Sequence, residues 1–456
     1  MWPWLTMDSI LILGILIAYI VFIILIGFIS SRKAKTSQGF FLADRSIGWT
    51  ALTASITATT VGGSATIVAG GRIYASGLPA LWYDIGGALG LIVLGLFLAN
   101  KVRKTGLFTL PDIAGHLYDD KVRFASAILI IITEIAWVSL LIQASSLILS
   151  VIVPLEFEIL LIVITVAFIA YTLIGGQYAV IYTDIIQFIV MILGICLIAA
   201  PLLLLDALPN LGQLSASSLS FPVNSNIGIL AAGSIFFMMF MPHVVGPDIY
   251  SKLLSAKDEK TAKLGAIFSG IIKMIFAVAI GMIALSAVVL YPGLEKASLA
   301  IPTAVSDLSP PMVSGIVLAA FISVMLSSAD SCLLSAGTIL SVDITRKKNV
   351  NVSRLGILGV GIGALVLALY YTQLGGILDT LQLAYTVFTA GLTLPVIFGF
   401  YKEKTCATSR GALWSLILGG SVSLIWLNIA PYSNYAVLVG LLVSIIPLLV
   451  FREVKK

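Results

Sequence analysis

The chain has 456 residues, of which 59% are hydrophobic and only 10% charged, and its mean hydropathy is +1.11. Soluble domains carry about 25% charged residues to keep their surface wet, so soluble enzymes, nucleic-acid binders and secreted disulfide scaffolds are excluded. Three scattered cysteines without a C-x-x-C pair and two histidines signal neither a disulfide framework nor a zinc site.

A membrane span needs ~20 apolar residues at 1.5 Å rise each. In chain order, the apolar runs predict thirteen spans, at roughly 8–30, 47–75, 78–100, 123–151, 157–174, 178–205, 227–249, 263–291, 312–343, 354–372, 376–401, 409–428 and 434–451. The first has acid ahead of it and runs into a basic loop without a small-residue cleavage signal, which predicts a retained helix and not a signal peptide. The second is rich in hydroxyls from Thr53 to Thr66 and holds Gly62-Gly63 and Gly70-Gly71 at mid-membrane depth. The third carries Trp82-Tyr83-Asp84, which suits an outer vestibule or an interfacial aromatic anchor.

The fourth span embeds Glu134 and the sixth Asp184. The seventh reads Met241-Pro-His-Val-Val-Gly-Pro247, and the eighth holds Lys273. Glu134 and Lys273 suit either a buried structural pair or substrate contacts. Open backbone at membrane depth is tolerated only beside a cavity or under protein cover, and paired interruptions in corresponding halves point to a transporter binding site. The alternative is that small residues merely let helices pack closely. In the ninth span Ser323, Ser327, Ser331 and Ser335 recur every four residues, Thr338 follows, and Asp330 lies three beyond Ser327. That spacing puts them on one helix face. Hydroxyls with a carboxylate make an oxygen surface that hard cations prefer; serines bonding back to their own helix are the alternative. Charges at membrane depth cost several kcal/mol, so Asp330 and Asp184 favour the cation site.

Basic residues give an independent test. Of the 26 Lys and Arg, 23 fall in one alternating set of loops, from Arg32 through Arg103, Lys252, Arg346 and Lys404 to Arg452. The opposite loops at 206–226 and 429–433 contain none. This predicts an N-terminus outside and a C-terminus in the cytoplasm of a plasma-membrane protein, and assigns the net charge of +5 to orientation. Loops no longer than about 25 residues leave no room for an extramembrane catalytic domain.

Five segments carry a family resemblance: Asp44-Arg45-Ser-Ile-Gly48, the Thr/Gly-rich second span, GGQYAVIYTDIIQ at 175–187, MPHVVGPDIYSKLLSAKDEKTA at 241–262 and SSADSCLLSAGTILSVDI at 327–344. With these the chain resembles the sodium/solute symporters, which include sodium/proline, sodium/glucose and sodium/sialic-acid transporters. The resemblance implies an all-α polytopic fold with a leucine-transporter-type core of two inverted five-helix repeats. An extra helix and cytoplasmic loop would occupy 1–46, the repeats 47–206 and 227–401, and two further helices 409–451. Sodium would be held by the carbonyls of Ala58, Val61 and Val324 and the hydroxyls of Ser327 and Ser328. Asp184, Asp330 and Ser331 fall where some members hold a second ion, although those members have Ser in place of Asp330.

Thr59, Thr60, Ser64 and Ala65 in the interrupted second span, with Lys273, are the candidate substrate contacts. Ala65 replaces a Gln of sugar carriers, whereas Lys273 resembles one of their lysines. The arginine of sialic-acid carriers has no match in span 123–151. The expectation is a sodium-coupled carrier of a small polar solute, an amino acid such as proline or a monocarboxylate, working by alternating access in the lipid bilayer. It would use no organic cofactor, bind no nucleic acid and have no enzymatic activity. A proton-coupled carrier relaying through the same carboxylates is the alternative. A channel would want a symmetric pore-loop motif, and an intramembrane enzyme an H-E-x-x-H or G-x-S-x-G; neither is present.

Overall fold

The computed structural model describes residues 7–34, 36–374, 376–429 and 435–453; these are helical and contain no strand. The predicted spans fall on α1 (Met7–Ser31), the bent pair α2 (Trp49–Thr60) and α3 (Ser64–Ser76), α4 (Leu78–Phe97), α5 (Asp120–Ser150), α6 (Phe157–Gly175) and α7 (Gln177–Gln213). A second interrupted helix follows, α8 (Ile229–Val244) and α9 (Pro247–Ser255). After it come α10 (Glu259–Leu290), α11 (Pro311–Ile344), α12 (Val350–Thr372), α13 (Ile377–Phe400), α14 (Ser409–Leu427) and α15 (Ala436–Val450).

Among the described residues, eleven segments, with α8 and α9 taken together, are long and apolar enough to cross a membrane, and the bent pair makes a twelfth. The expected thirteenth span begins at residue 434, outside the described residues. Its helix α15 has 15 residues, and 1.5 Å per residue gives about 22 Å, short of the ~30 Å hydrocarbon core.

Burial sorts the helices by depth. Every residue from 317 to 339 on α11 is buried, because α1, α2, α5, α7 and α12 pack around it. By contrast Ile17, Val166, Leu197, Val366 and Leu442 are each at least 60% exposed. Each would forfeit about 1.5–3 kcal/mol in water, so this belt belongs against lipid.

The basic loops gather on one face. Arg45 donates to the Gly106 and Leu107 carbonyls, and Arg103 to those of Ala256 and Lys257. Arg123 bridges Asp112 and Asp343 at 2.9 and 2.8 Å, tying the α5 entry to the end of α11. Three helices start there from side-chain caps: Asp119 for α5, Asp258 for α10 and Thr408 for α14. The Thr261 N–H holds the Asp258 carboxyl below the usual carboxylate range. On the same face Ile47 pairs with the end of α9. Its N–H donates to the Ser255 carbonyl at 3.2 Å, and its carbonyl accepts from the Lys257 N–H at 2.9 Å.

Candidate functional site

Both interrupted helices open their backbone inside the protein. Between α2 and α3 the axis turns by 57°. Glycine is needed there because the break lies tight against its neighbours. A Cβ on Gly62 would stand 2.7 Å from Ser328 Oγ, and one on Gly63 3.1 Å from Ala144 Cβ. At the second break Val245 and Gly246 leave the helix, and Pro247 restarts it at the first helical position, where its missing N–H costs nothing. Pro242 frees the Met238 carbonyl, which faces the Thr389 hydroxyl at 3.5 Å. His243 Nδ1 lies 2.7 Å from the Met239 carbonyl, so the imidazole serves the broken backbone.

The end of α2 is stitched to the middle of α11. Ser327 donates to the Ala58 carbonyl at 2.8 Å and to Val324 at 3.2 Å. Ser328 donates to the Thr59 carbonyl at 2.7 Å and to Val324 at 3.0 Å. Thr59 Oγ1 lies 3.0 Å from Ser331 Oγ and 3.2 Å from the Ser327 carbonyl. The seam thus gathers Ala58, Val324, Ser327 and Ser328 and adds Thr59 and Ser331. The Val61 carbonyl makes none of these bonds. The hydroxyl stripe divides: Ser323 and Thr338 bond back to the carbonyls four residues earlier, and only its middle faces α2.

Asp184 lies beside this seam in a buried triangle. Its Oδ2 is 2.5 Å from Ser55 Oγ and 2.5 Å from Lys252 Nζ, and the ammonium is also 2.7 Å from Ser55 Oγ. Lys252 and Asp184 side chains are 1% and 0% exposed. This corrects the assignment of Lys252 to a solvated basic loop. Pro247 starts a new helix that carries the chain on to Ser255, and Lys252 lies on the same buried face as Ile249 and Leu253. The 3- and 4-residue spacing after Pro247 was the available signal. Asp330, on α11, acts electrostatically on both members of the pair, and Asp330 Oδ2 and Asp184 Oδ1 have no hydrogen-bond partner among the described residues.

Between the two breaks lies a cavity of about 510 Å³ including its mouth. Thr59, Thr60, Ser64 and Ser328 line it, together with His243, Asp248, Trp137 and Tyr385. The Trp137 and Tyr385 rings meet edge to face at 5.3 Å, and Ser64 Oγ lies 3.1 Å from the Tyr385 hydroxyl. The Trp137 indole N–H is buried without a partner among the described residues. About 50 Å³ of this space is open to the centre of a water molecule, room for about four waters at 10–15 Å³ each. Asp248, Trp137 and Tyr385 were not singled out in the sequence; only the fold brings α5, α9 and α13 to one place.

Ala65 and Lys273 stand outside the cavity wall. The Lys273 ammonium lies 3.5 Å from Asp84 Oδ1 and donates to the Thr60 carbonyl at the end of α2. Both side chains are 1% exposed, so Asp84 lines no vestibule, and the partner of Lys273 is Asp84 rather than Glu134. Glu134 is buried, and its oxygens have no hydrogen-bond partner among the described residues.

Comparison with known proteins gives concordant matches. Residues 40–419 match the sequence profile of the sodium:solute symporter family. The sodium/proline symporter of Staphylococcus aureus (strain bovine RF122 / ET3-1) is 25% identical over 475 aligned residues, covering 96% of this chain and 91% of the relative. That of strain Newman matches equally. A substrate-bound, outward-open Na⁺-coupled sialic acid symporter superposes with a TM-score of 0.79 at 18% identity, over 96% of this chain and 97% of that one. The nucleobase-cation-symport-1 transporter Mhp1, closed around its ligand, gives 0.62 at 15% identity, over 90% and 93%. These structural likenesses concern the fold.

Proposed function

The chain belongs to the sodium:solute symporter family, and from that membership we propose that it drives uptake of a small amine-bearing solute with inward-moving sodium bound at the α2–α11 seam. The observation that carries this reading is the seam itself. Five oxygens, from the Ala58, Thr59 and Val324 carbonyls and the Ser327 and Ser328 hydroxyls, converge where a broken helix meets the most buried one. In the structure the two hydroxyls donate to the Ala58 and Thr59 carbonyls. With sodium they would turn their lone pairs inward and let the ion replace those protons, fastening α2 to α11. The Val61 carbonyl stays a candidate sixth ligand.

Solute would bind in the adjacent cavity, whose wall at Thr59 and Ser328 is also the seam. Sodium and solute would therefore each favour the other, by equal factors as linkage demands. Asp248 supplies the one carboxylate of that wall among the described residues, against the hydroxyls of Thr60 and Ser64 and the unpartnered Trp137 N–H. An ammonium group on Asp248 and an acceptor near Trp137 describe a small amino acid better than a monocarboxylate. The limited free volume also disfavours a sugar. Access from the base-poor side is offered by a second cavity of about 600 Å³, lined by Arg72, Tyr83, Asn226 and Thr386. On the basic side, the backbone pairing of Ile47 with the α9 end would serve as the closure. Two inverted repeats, 47–206 and 227–401, with their first helices broken at 61–63 and 245–246, would rock between these closures. Membrane voltage adds about 2.3 kcal/mol per charge per 100 mV to the driving force.

A panel of amino acids and monocarboxylates, screened by thermal shift in sodium and in choline buffer, tests the reading. An amino acid should stabilise only with sodium present; equal stabilisation in choline would sink sodium coupling. Asp248→Asn should weaken that amino acid about 30-fold, since a bond to a charged group contributes about 2 kcal/mol. A monocarboxylate binding both proteins equally well would overturn the amine assignment.

Gly62→Ala should force Ser328 off the Thr59 carbonyl, because the added methyl meets its hydroxyl at 2.7 Å. The sodium concentration that half-stabilises the purified protein should rise at least about tenfold. An unchanged sodium titration would separate the seam from ion binding.

A further inference from the structure

Lys252 brings a positive charge into a place built like a cation site. Its ammonium sits 2.5 Å from Asp184 Oδ2 and 2.7 Å from Ser55 Oγ. Asp330 acts on the same charge electrostatically from α11, and one oxygen of each carboxylate has no hydrogen-bond partner among the described residues. A hydroxyl and a carboxylate oxygen against a buried monovalent cation, with a second carboxylate on the helix packed alongside, are what a sodium ion would ask of a protein. Here the cation is covalently attached, on a helix that begins at the second break.

We propose that Lys252 is a tethered cation that fills the ion position beside Asp184 and Asp330. The carrier consequently binds one sodium ion per cycle, at the α2–α11 seam alone. This rests on the sodium-coupled reading above and adds its stoichiometry. A mobile ion entering beside the ammonium would meet a like charge at ~4 Å, and at an effective dielectric constant near 20 that repulsion is worth about a thousandfold in affinity. Without the ammonium, Asp184, Ser55 and Asp330 would face an uncompensated negative pocket that sodium can fill.

The test is equilibrium binding of radioactive sodium to the purified full-length protein, counted per chain with choline as the competing-salt control. Wild type should bind one ion, Lys252→Arg one, and Lys252→Met two. The double variant Asp184→Asn, Lys252→Met should return to one, since it removes both the tethered charge and its carboxylate. Two ions in wild type, or one in a folded Lys252→Met, would overturn the tethered cation while leaving symport standing. No sodium bound by wild type would instead overturn the sodium-coupled reading, and this inference with it. If Lys252→Met does not survive purification, the wild-type and Lys252→Arg counts still decide, because two ions in either refutes the proposal.

Discussion

Asp184→Asn should destabilise the purified protein by about 3–5 kcal/mol, the usual cost of stranding one member of a buried ion pair. The reason is Lys252, whose side chain is 1% exposed and whose ammonium, among the described residues, has only Asp184 and Ser55 within bonding distance. The amide offers an oxygen but no charge, so the ammonium would be left uncompensated in a low-dielectric interior. The buried lysine makes folding, and not only ion coupling, depend on this carboxylate. Adding Lys252→Met to Asp184→Asn should recover most of the loss, because an apolar side chain of similar length tolerates the site. Thermal and denaturant unfolding of the four proteins in one detergent forms a double-mutant cycle. A single Asp184→Asn variant as stable as wild type would show that the pair does not hold α7 to α9.

The double replacement Ser327→Ala, Ser328→Ala should raise the sodium concentration for half-maximal uptake or stabilisation by about 100-fold. Each hydroxyl contact to a charged partner contributes about 1.5–3 kcal/mol. Losing two would cost about 4 kcal/mol, partly offset because the same replacements also remove the hydroxyl–carbonyl bonds to Ala58 and Thr59 with which the ion competes. Folding should suffer less than ion binding, since both residues are small and stay enclosed by α2 and α11. Wild-type sodium dependence in the double variant would move the ion elsewhere.

The helices were legible because each needs only a long apolar run, and a run such as the one from Ile10 to Ile29 survives any tertiary arrangement; α15 came out too short to count. The breaks were legible in part. Gly62-Gly63 and Gly246-Pro247 do mark the two breaks, whereas Gly70-Gly71 and Gly86-Gly87 lie inside continuous helices and Pro242 is held within α8. The serine stripe was half legible. Its period shows one face but not its neighbour, and only Ser327, Ser328 and Ser331 meet α2. The ion pairs were not legible at all. Lys252 and Asp184 are 68 residues apart, and Asp84 meets Lys273 across α4 and α10. No local pattern encodes such meetings, and the number of embedded charges left several pairings open. Asp248 was hidden differently: one residue after Pro247, it reads as an ordinary first-turn acid until α5 and α13 are seen to face it.

The pairing of Ile47 with the end of α9 bears on leakage. Two backbone bonds join them, and Arg103 adds bonds to the Ala256 and Lys257 carbonyls. Four bonds at about 1 kcal/mol each would make spontaneous opening on the basic side about a thousandfold rarer. In the alternating cycle proposed above, an idle carrier would then seldom short-circuit the ion gradient. Weakening Arg103 would convert stored gradient into heat before it abolished uptake.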